Sequence, residues 1–276
     1  MSANTHNLLM IEGLTVDFDA GKPTRHRALN GLSLCIGTRE VVALVGESGS
    51  GKTVLAHATL GLLPKNGRIV SGSIVWQGSE LLGLQEPEMR KIRGRQIAMV
   101  FQDAQASLNP VFSIQTQFRW LLKLHRHMTP EQAHAESCRL LHAVQLSDTK
   151  RILDCYPHQL SGGMCQRVMI ALALACAPKL IITDEPTSAL DRIVQSEIVE
   201  LLESIHVASG MSMLIITHDL GMARRLASRV AVIQDGTIVE ENVTHNIFEM
   251  PKSSYTRKLL AAADLTPMRK IDLAIS

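Results

Sequence analysis

The sequence predicts an α/β fold in which short buried strands alternate with helices. Three apolar runs, at residues 41–45, 180–183 and 213–217, have the length and aliphatic content of strands buried on both faces. Polar residues follow each run. Because ligands of such sheets bind at the carboxyl ends of the strands, those polar residues are the first candidates for a functional site.

The most specific candidate is a glycine-rich loop that follows the first run and precedes a helix-prone segment. It consists of Gly46, Glu47, Ser48, Gly49, Ser50, Gly51, Lys52 and Thr53. Glycines allow backbone N–H groups to surround a polyphosphate, and the helix N-terminus adds partial positive charge. In such a phosphate loop Lys52 reaches the β- and γ-phosphates, and the Thr53 hydroxyl binds Mg²⁺.

Three further strand ends carry groups that suit phosphate chemistry. Asp184 and Glu185 end the second run, where Asp184 can hold Mg²⁺ and Glu185 can accept a proton from an attacking water. His218 ends the third run and is placed to touch the γ-phosphate. Gln102 follows a fourth apolar run at residues 97–101, and the alternative for it is a solvated loop amide.

A second glycine turn opens a later helix. Ser161, Gly162 and Gly163 stand before an apolar segment, so their N–H groups form a second place that can hold an anion. Two such helix N-termini predict that one nucleotide is bound between two surfaces. The alternative is a plain serine N-cap followed by glycines.

The middle of the chain, residues 113–156, has a helical pattern. Thr129 is predicted to cap a helix that begins at Pro130. One face of that helix carries His134, Cys138 and His142. A straight helix presents too few ligands to one metal ion, so we interpret this face as mixed surface and core.

The flanking segments complete the α/β pattern. Short strands are expected between residues 8 and 36, separated by a polar connector at 21–27. A charged surface helix is expected at 80–94. The Asp235-Gly236 pair predicts a hairpin turn.

Composition excludes several classes of protein. The chain has 276 residues, of which 46% are hydrophobic and 20% charged; the net charge of +2 predicts no nucleic acid partner. The longest central apolar run, residues 168–177, is about half of a bilayer span, and the N-terminus lacks a signal-peptide pattern. Five cysteines without a CxxC pair suggest no disulfide framework. We therefore expect a protein of the reducing cytoplasm that does not cross a membrane.

Taken in order, these motifs resemble the nucleotide-binding subunit of ABC transporters. The resemblance covers residues 8–263 and rests on the phosphate loop, Gln102, Leu160-Ser161-Gly162-Gly163, Asp184-Glu185, Ser188-Ala189-Leu190-Asp191 and His218. It implies the ABC ATPase fold: a RecA-like P-loop NTPase core, an antiparallel β subdomain and a helical subdomain inserted at about residues 103–165. Residues 264–276 are expected to form a polar C-terminal tail.

The resemblance also implies that the chain hydrolyses ATP with Mg²⁺, and it implies which residues take part. Glu185, His218 and Gln102 would be catalytic, and Gln102 would join Thr53 and Asp184 at the metal. Phe18 would stack on the adenine.

The resemblance further implies an assembly. Two ATPase subunits would meet head to tail, each ATP lying between the phosphate loop of one and the 161–163 turn of the other. Expected partners are two polytopic membrane permeases, a second ATPase subunit that is a copy or a related chain and, indirectly, an extracytoplasmic substrate-binding protein. The location would be peripheral, on the cytoplasmic side of the inner membrane.

Within the family the chain resembles the importer branch for oligopeptides, dipeptides and nickel. The residues that carry this are the phosphate loop, Phe101-Gln102-Asp103, Ser107-Leu108-Asn109-Pro110, Tyr255-Thr256-Arg257 and Leu259-Leu260. Peptide members usually carry a cysteine-rich C-terminal extension associated with an iron-sulfur cluster, whereas this chain has no cysteine after Cys176. The cargo is expected to be nickel or metal chelates or short peptides, and the short tail favours the nickel or metal-chelate side. Cys165 and Ala104 also depart from the usual residues of the branch.

Two other classes of protein share part of this pattern with the transport ATPase. A soluble ABC ATPase of DNA repair or translation is the main alternative, but such chains usually have two ATPase domains or a long coiled-coil insertion. An ordinary P-loop kinase would leave the 161–163 turn and His218 unexplained.

Overall fold

The computed structural model describes residues 7–19, 25–188 and 190–263, which form two sheets and eleven α-helices. The predicted tail at 264–276 and Ala189 of the 188–191 motif lie outside the described residues. Within the described ranges, none of the helices is both long and apolar enough to span a bilayer. All five cysteines are described and are free thiols.

The first sheet is antiparallel. Its strands, in the order β2-β1-β4-β5, are β1 (Asn7–Asp19), β2 (Arg25–Gly37), β4 (Gly67–Trp76) and β5 (Ser79–Glu80). The prediction of short strands at the N-terminus was wrong, because irregularities in register between Ile11 and Leu14 interrupt the pattern without ending β1. The predicted connector was too long, since β2 already begins at Arg25.

The second sheet is the parallel core. Its strands, in the order β10-β9-β3-β8-β7-β6, are β3 (Val41–Val45), β6 (Ile97–Val100), β7 (Leu180–Asp184), β8 (Ser212–Thr217), β9 (Arg229–Gln234) and β10 (Thr237–Val243). Only β10 runs antiparallel to its neighbour. Asp235 (φ 48°) and Gly236 (φ 75°) form the predicted hairpin turn between β9 and β10.

Eleven α-helices surround and extend the sheets. They are α1 (Lys52–Thr59), α2 (Glu86–Ile92), α3 (Ala104–Ser107), α4 (Ile114–Arg126), α5 (Pro130–Ala143), α6 (Thr149–Asp154), α7 (Gly162–Leu174), α8 (Arg192–Ser209), α9 (Leu220–Leu226), α10 (Thr244–Glu249) and α11 (Ser254–Ala262). The surface helix expected at 80–94 is limited to α2. Pro87 fixes its first turn, and Gly94 (φ 72°) follows its end.

Helices α3 to α6 and the start of α7 form a helical layer inserted between β6 and β7. Phe118 and Leu122 of α4 and Leu141 of α5 are fully buried in it. Thr129 caps α5 as predicted, and Gln132 completes a capping box. On the predicted mixed face, Cys138 Sγ lies 3.8 Å from His134 Nε2. The described residues contain no cluster of three or more His, Cys, Asp or Glu arranged to hold a metal ion.

Glu136 joins the helices of this layer electrostatically. Its carboxylate accepts hydrogen bonds from Arg139 at 2.8 Å and from Arg126 at 2.6 Å, while Arg126 also donates to the Ala175 carbonyl after α7. The hydrogen bond from Arg139, supported by Arg126, lowers the pKa of Glu136 from 4.5 to about 2. The ion pairs therefore stabilise the folded state as long as Glu136 is ionised.

We expect Glu136→Gln to lower the free energy of unfolding at pH 7 by about 1 kcal/mol. The deficit should shrink as the pH falls from about 4.5 towards about 2, because the wild-type carboxylate is itself protonated over that range. Urea unfolding at a series of pH values measures this, with exposed Glu12→Gln as the matched control. A deficit that is independent of pH would contradict the electrostatic origin.

Candidate nucleotide site

The parallel sheet brings the predicted site residues to one edge. In the paired register Val45 lies opposite Thr217, and Asp184 lies opposite Ile216. Since β3, β8 and β7 are neighbours running in the same direction, the residues that follow them emerge side by side. The phosphate loop, the acidic pair and His218 are thereby assembled.

The phosphate loop has a backbone that only glycine fits at two positions. Gly51 has φ 107°, and a Cβ there would lie 2.6 Å from the Ala28 carbonyl oxygen. A Cβ at Gly46 would lie 2.3 Å from the Ile233 carbonyl oxygen. The loop is therefore packed directly against backbone of β2 and β9, which fixes its path.

Lys52 occupies the centre of the loop. Its Nζ donates to the carbonyl oxygens of Gly46 and Glu47, both at 2.8 Å, and the residue is only 6% exposed. Burial lowers the pKa of Lys52, and the charges of Glu185 and Asp184 oppose that shift. The ammonium is held by weak partners, two neutral carbonyls, in a place where a phosphate would bind it more strongly.

Thr53 and Asp184 form an oxygen-lined contact beside Lys52. The Thr53 hydroxyl donates to Asp184 Oδ1 at 3.2 Å, and Asp184 is 2% exposed. Burial raises the pKa of Asp184; the neighbouring Glu185 charge adds to this, while the Thr53 hydrogen bond opposes it. A buried carboxylate beside a second carboxylate and a hydroxyl is a donor set that fits Mg²⁺, which prefers oxygen ligands.

Glu185 and His218 face each other across the neighbouring strand ends. His218 Nδ1 lies 2.8 Å from Glu185 Oε2; the histidine side chain is 68% exposed and that of Glu185 11%. Glu185 has φ 48°, an unfavourable backbone for a non-glycine residue, and its N–H donates to the Ile216 carbonyl at 2.8 Å. This left-handed residue ends β7 and places the carboxylate in the cavity.

These groups line a cavity of about 530 Å³. The residues around it are Phe18, His26, Ala28, Ser48, Gly49, Gly51, Lys52, Thr53, Val54, Gln102, Glu185 and His218. Phe18 lies over Gly67, where a Cβ would come within 2.8 Å of the ring. Sequence reasoning missed His26, Ala28 and Val54. His26 reaches the cavity through its pairing with Phe18 across β1 and β2, for which the sequence carries no local signal.

Several predicted residues lie elsewhere. Asp184 and three members of the phosphate loop (Gly46, Glu47 and Ser50) are next to the cavity without lining it. Ser161 caps α7 by accepting from the Met164 N–H at 3.3 Å. Ser161 and Gly162 are exposed, and the 161–163 turn does not line this cavity.

The fold and the cavity define a nucleotide-binding α/β protein of the P-loop class. A family model described as "ABC transporter" matches residues 29–188, which is more than half of the chain. The chain belongs to the ABC transporter family. The predicted fold class and the resemblance to this family are thereby confirmed.

Curated relatives agree over nearly the whole chain. The peptidoglycan transport ATP-binding protein YejF of Agrobacterium fabrum is 46% identical over 260 residues, which cover 94% of this chain and 47% of that protein. The dipeptide transport ATP-binding protein DppD of Haemophilus influenzae is 42% identical over 253 residues, which cover 92% and 76%. The glutathione import ATP-binding protein GsiA of Escherichia coli is 40% identical and is covered to 44%. The chain thus spans about half the length of YejF and GsiA.

Solved structures show the same fold. The ATP-binding cassette MJ0796, in a dimeric post-hydrolysis state bound to ADP and Pi, matches with a TM-score of 0.77 and 28% identity over 86% of this chain and 98% of that one. CbiO1 of Clostridium perfringens, part of the ABC transporter complex cbiONQ, matches with a TM-score of 0.72 and 26% identity over 88% and 91%.

Two glycines of the phosphate loop provide a matched test of its packing. Both Gly49 (φ 83°) and Gly51 (φ 107°) have a left-handed backbone, but a Cβ at Gly49 would meet no atom within 4 Å. We expect Gly49→Ala to cost about 1 to 2 kcal/mol of folding free energy and Gly51→Ala distinctly more, because it adds a backbone clash. Urea unfolding of the two variants measures the difference. Equal costs would contradict the close packing of Gly51 against Ala28.

Proposed function

We propose that the chain is the ATP-binding and ATP-hydrolysing subunit of an import system that takes up short peptides through separate membrane subunits. The observation that carries the proposal is the convergence of Lys52, Asp184, Glu185 and His218 at one sheet edge beside the cavity. The family supplies the link between this chemistry and transport. We take residues 8–263 as one ATPase domain, with the helical subdomain at about 103–165.

In this proposal the phosphate loop and Lys52 hold the β- and γ-phosphates of ATP. Lys52 would exchange two neutral carbonyl contacts for charged phosphate oxygens, which are stronger partners. Thr53 and Asp184 would hold Mg²⁺ together with Gln102, which lines the same cavity. Mg²⁺ there would neutralise part of the phosphate charge. Phe18, at the cavity wall, would stack on the adenine.

Glu185 is the proposed general base. Its carboxylate faces the cavity and can accept a proton from a water that attacks the γ-phosphate. The contact with His218 at 2.8 Å fixes the orientation of the carboxylate. The rest of the imidazole stays exposed, so it is free to contact the nucleotide. His218 would then contact the γ-phosphoryl group while it is transferred to the attacking water and ADP leaves.

The second phosphate-binding surface is proposed to come from another ATPase subunit. The exposed Ser161 and Gly162 form a helix start that lies outside this chain's own nucleotide cavity. The matched MJ0796 cassette is described as a dimer. We propose a head-to-tail pair, with a copy of this chain or a related chain, in which each ATP lies between one phosphate loop and the other subunit's 161–163 turn.

The proposed cargo follows the relatives. YejF, DppD and GsiA are named for peptidoglycan, dipeptide and glutathione transport, which are peptide-containing compounds. These names favour short peptides; nickel or metal chelates, favoured by the sequence reasoning, stay a prediction that none of these three names supports. They also disfavour the alternative of a soluble ATPase in DNA repair or translation. We propose two membrane permeases and an extracytoplasmic binding protein as partners, and a peripheral location on the cytoplasmic side of the inner membrane.

The base is tested by Glu185→Gln. The amide keeps the size of the side chain but cannot accept the proton, so we expect ATP binding within about twofold of wild type and hydrolysis slower by about 10² or more. Steady-state ATPase assays and binding of a fluorescent ATP analogue with Mg²⁺ measure the two quantities. The exposed Glu12→Gln is the matched control and should behave as wild type. Hydrolysis at the unmutated rate would remove Glu185 from its role.

The transport role is tested in cells. We expect the chain to co-purify from membranes with two polytopic proteins, and its Glu185→Gln variant to abolish uptake of a labelled dipeptide. Uptake of radioactive nickel, measured in parallel, distinguishes the two cargo classes. Recovery of the chain with ribosomes or DNA, with dipeptide and nickel uptake unaffected by the variant, would contradict the proposal.

A further inference from the structure

The C-terminal part of the chain makes hydrogen bonds to the backbone of the phosphate loop. The Glu47 N–H donates to the hydroxyl oxygen of Tyr255, on α11, at 3.2 Å, although the two residues are 208 positions apart. A second contact lies close by: the Gly236 N–H, in the turn between β9 and β10, donates to the Ser50 carbonyl at 3.0 Å. Two elements from the C-terminal part of the chain thus hydrogen-bond to the backbone of the loop.

The Tyr255 contact holds a peptide unit that Lys52 holds from the opposite side. The Gly46 carbonyl and the Glu47 N–H belong to the same peptide unit, and in a trans unit they point in opposite directions. The carbonyl accepts from Lys52 Nζ at 2.8 Å, and the N–H donates to Tyr255. The orientation of this unit is therefore fixed at both ends.

Tyr255 is itself firmly placed. Ser253 caps α11, and the Glu240 carboxylate of β10 accepts from the N–H groups of Lys252 and Ser253 at 2.8 and 2.9 Å. The Arg257 guanidinium donates to two carbonyls of the segment before the helix, at 2.9 and 2.8 Å. The start of α11 is thus tied to the sheet edge, and the tyrosine hydroxyl is presented at a defined position.

We propose that Tyr255 is a positioning residue of the nucleotide site, which keeps the peptide unit between Gly46 and Glu47 oriented when Lys52 leaves the loop carbonyls for the phosphates. The proposal rests on the proposed function, because it assumes that the loop binds a nucleotide. Once Lys52 has moved, the hydroxyl of Tyr255 is the contact that remains on this unit among those described. Without this hydroxyl the peptide unit samples other orientations, and only loops with the correct orientation bind the nucleotide. The apparent affinity therefore falls in proportion to the fraction of molecules that have this orientation.

The role predicts which ligands are affected. The phosphate loop surrounds the polyphosphate, so its order matters to nucleotides that carry a β-phosphate. ATP and ADP should both lose affinity when the hydroxyl is removed. AMP, which has no β-phosphate, should not.

The test is Tyr255→Phe in the full chain, which keeps the ring and removes the hydroxyl. We expect the Kd values for ATP and ADP with Mg²⁺ to rise about three- to tenfold, as for the loss of one neutral hydrogen bond, while the Kd for AMP stays within twofold. Hydrogen exchange of residues 46–50 should quicken in the nucleotide-bound protein. The thermal unfolding midpoint without nucleotide should stay within 2 °C, since Glu47 is exposed and its N–H can bind water instead.

Tyr156→Phe is the matched control, because Tyr156 is the only other tyrosine of the chain and does not line the nucleotide cavity. It should leave all three Kd values unchanged. An unaltered Kd for ATP in Tyr255→Phe would overturn the inference while leaving the proposed function intact. An equal loss of ATP and AMP binding, or a large drop in the unfolding midpoint, would assign Tyr255 a general structural role and overturn it too. Failure of the wild-type protein to bind MgATP would instead overturn the proposed function.

Discussion

The parallel register of β3, β8 and β7 is the constraint on which the site depends. Three strands contribute one functional segment each, and the pairing of Val45 with Thr217 and of Asp184 with Ile216 sets the level at which those segments leave the sheet. A slip by one residue would turn every side chain of a strand to the other face and separate Asp184 from Thr53. Register is well specified here because all three strands are buried throughout.

Given this placement, the charges of Lys52, Asp184 and Glu185 must be stable although these three residues are buried. Each charged group has its own partner: Lys52 the carbonyls of Gly46 and Glu47, Asp184 the Thr53 hydroxyl, and Glu185 the His218 ring. These contacts offset desolvation that would otherwise be costly. They are also weaker than contacts to phosphate or a divalent cation, so in the proposed function ligand binding would exchange them without unfolding the site.

Much of this was readable from sequence because it is local. The strand runs, the phosphate loop, the caps at Thr129 and Ser161 and the turn at 235–236 each lie within a few residues, where spacing and residue type decide conformation. Features that depend on packing between residues far apart in the chain could not be predicted from the sequence. The register irregularities near Gly13 hid the length of β1, His26 became a wall of the cavity through pairing with Phe18, and Tyr255 reaches Glu47 across 208 positions.

The two sides of the phosphate loop differ in a way that bears on assembly. The backbone at Glu47 and Ser50 is bound by this chain itself, through Tyr255 and the turn at Gly236. The other side, with Ser48 and Gly49 exposed at the cavity, is open, and the turn at 161–163 does not line it. In the proposed function, Lys52 and Mg²⁺ would neutralise only part of the charge of the triphosphate, and further donors on the open side would come from outside this cavity. In the proposed pair of subunits, the order that Tyr255 and Gly236 give to the loop would then affect how well the exposed Ser48 and Gly49 fit the second subunit.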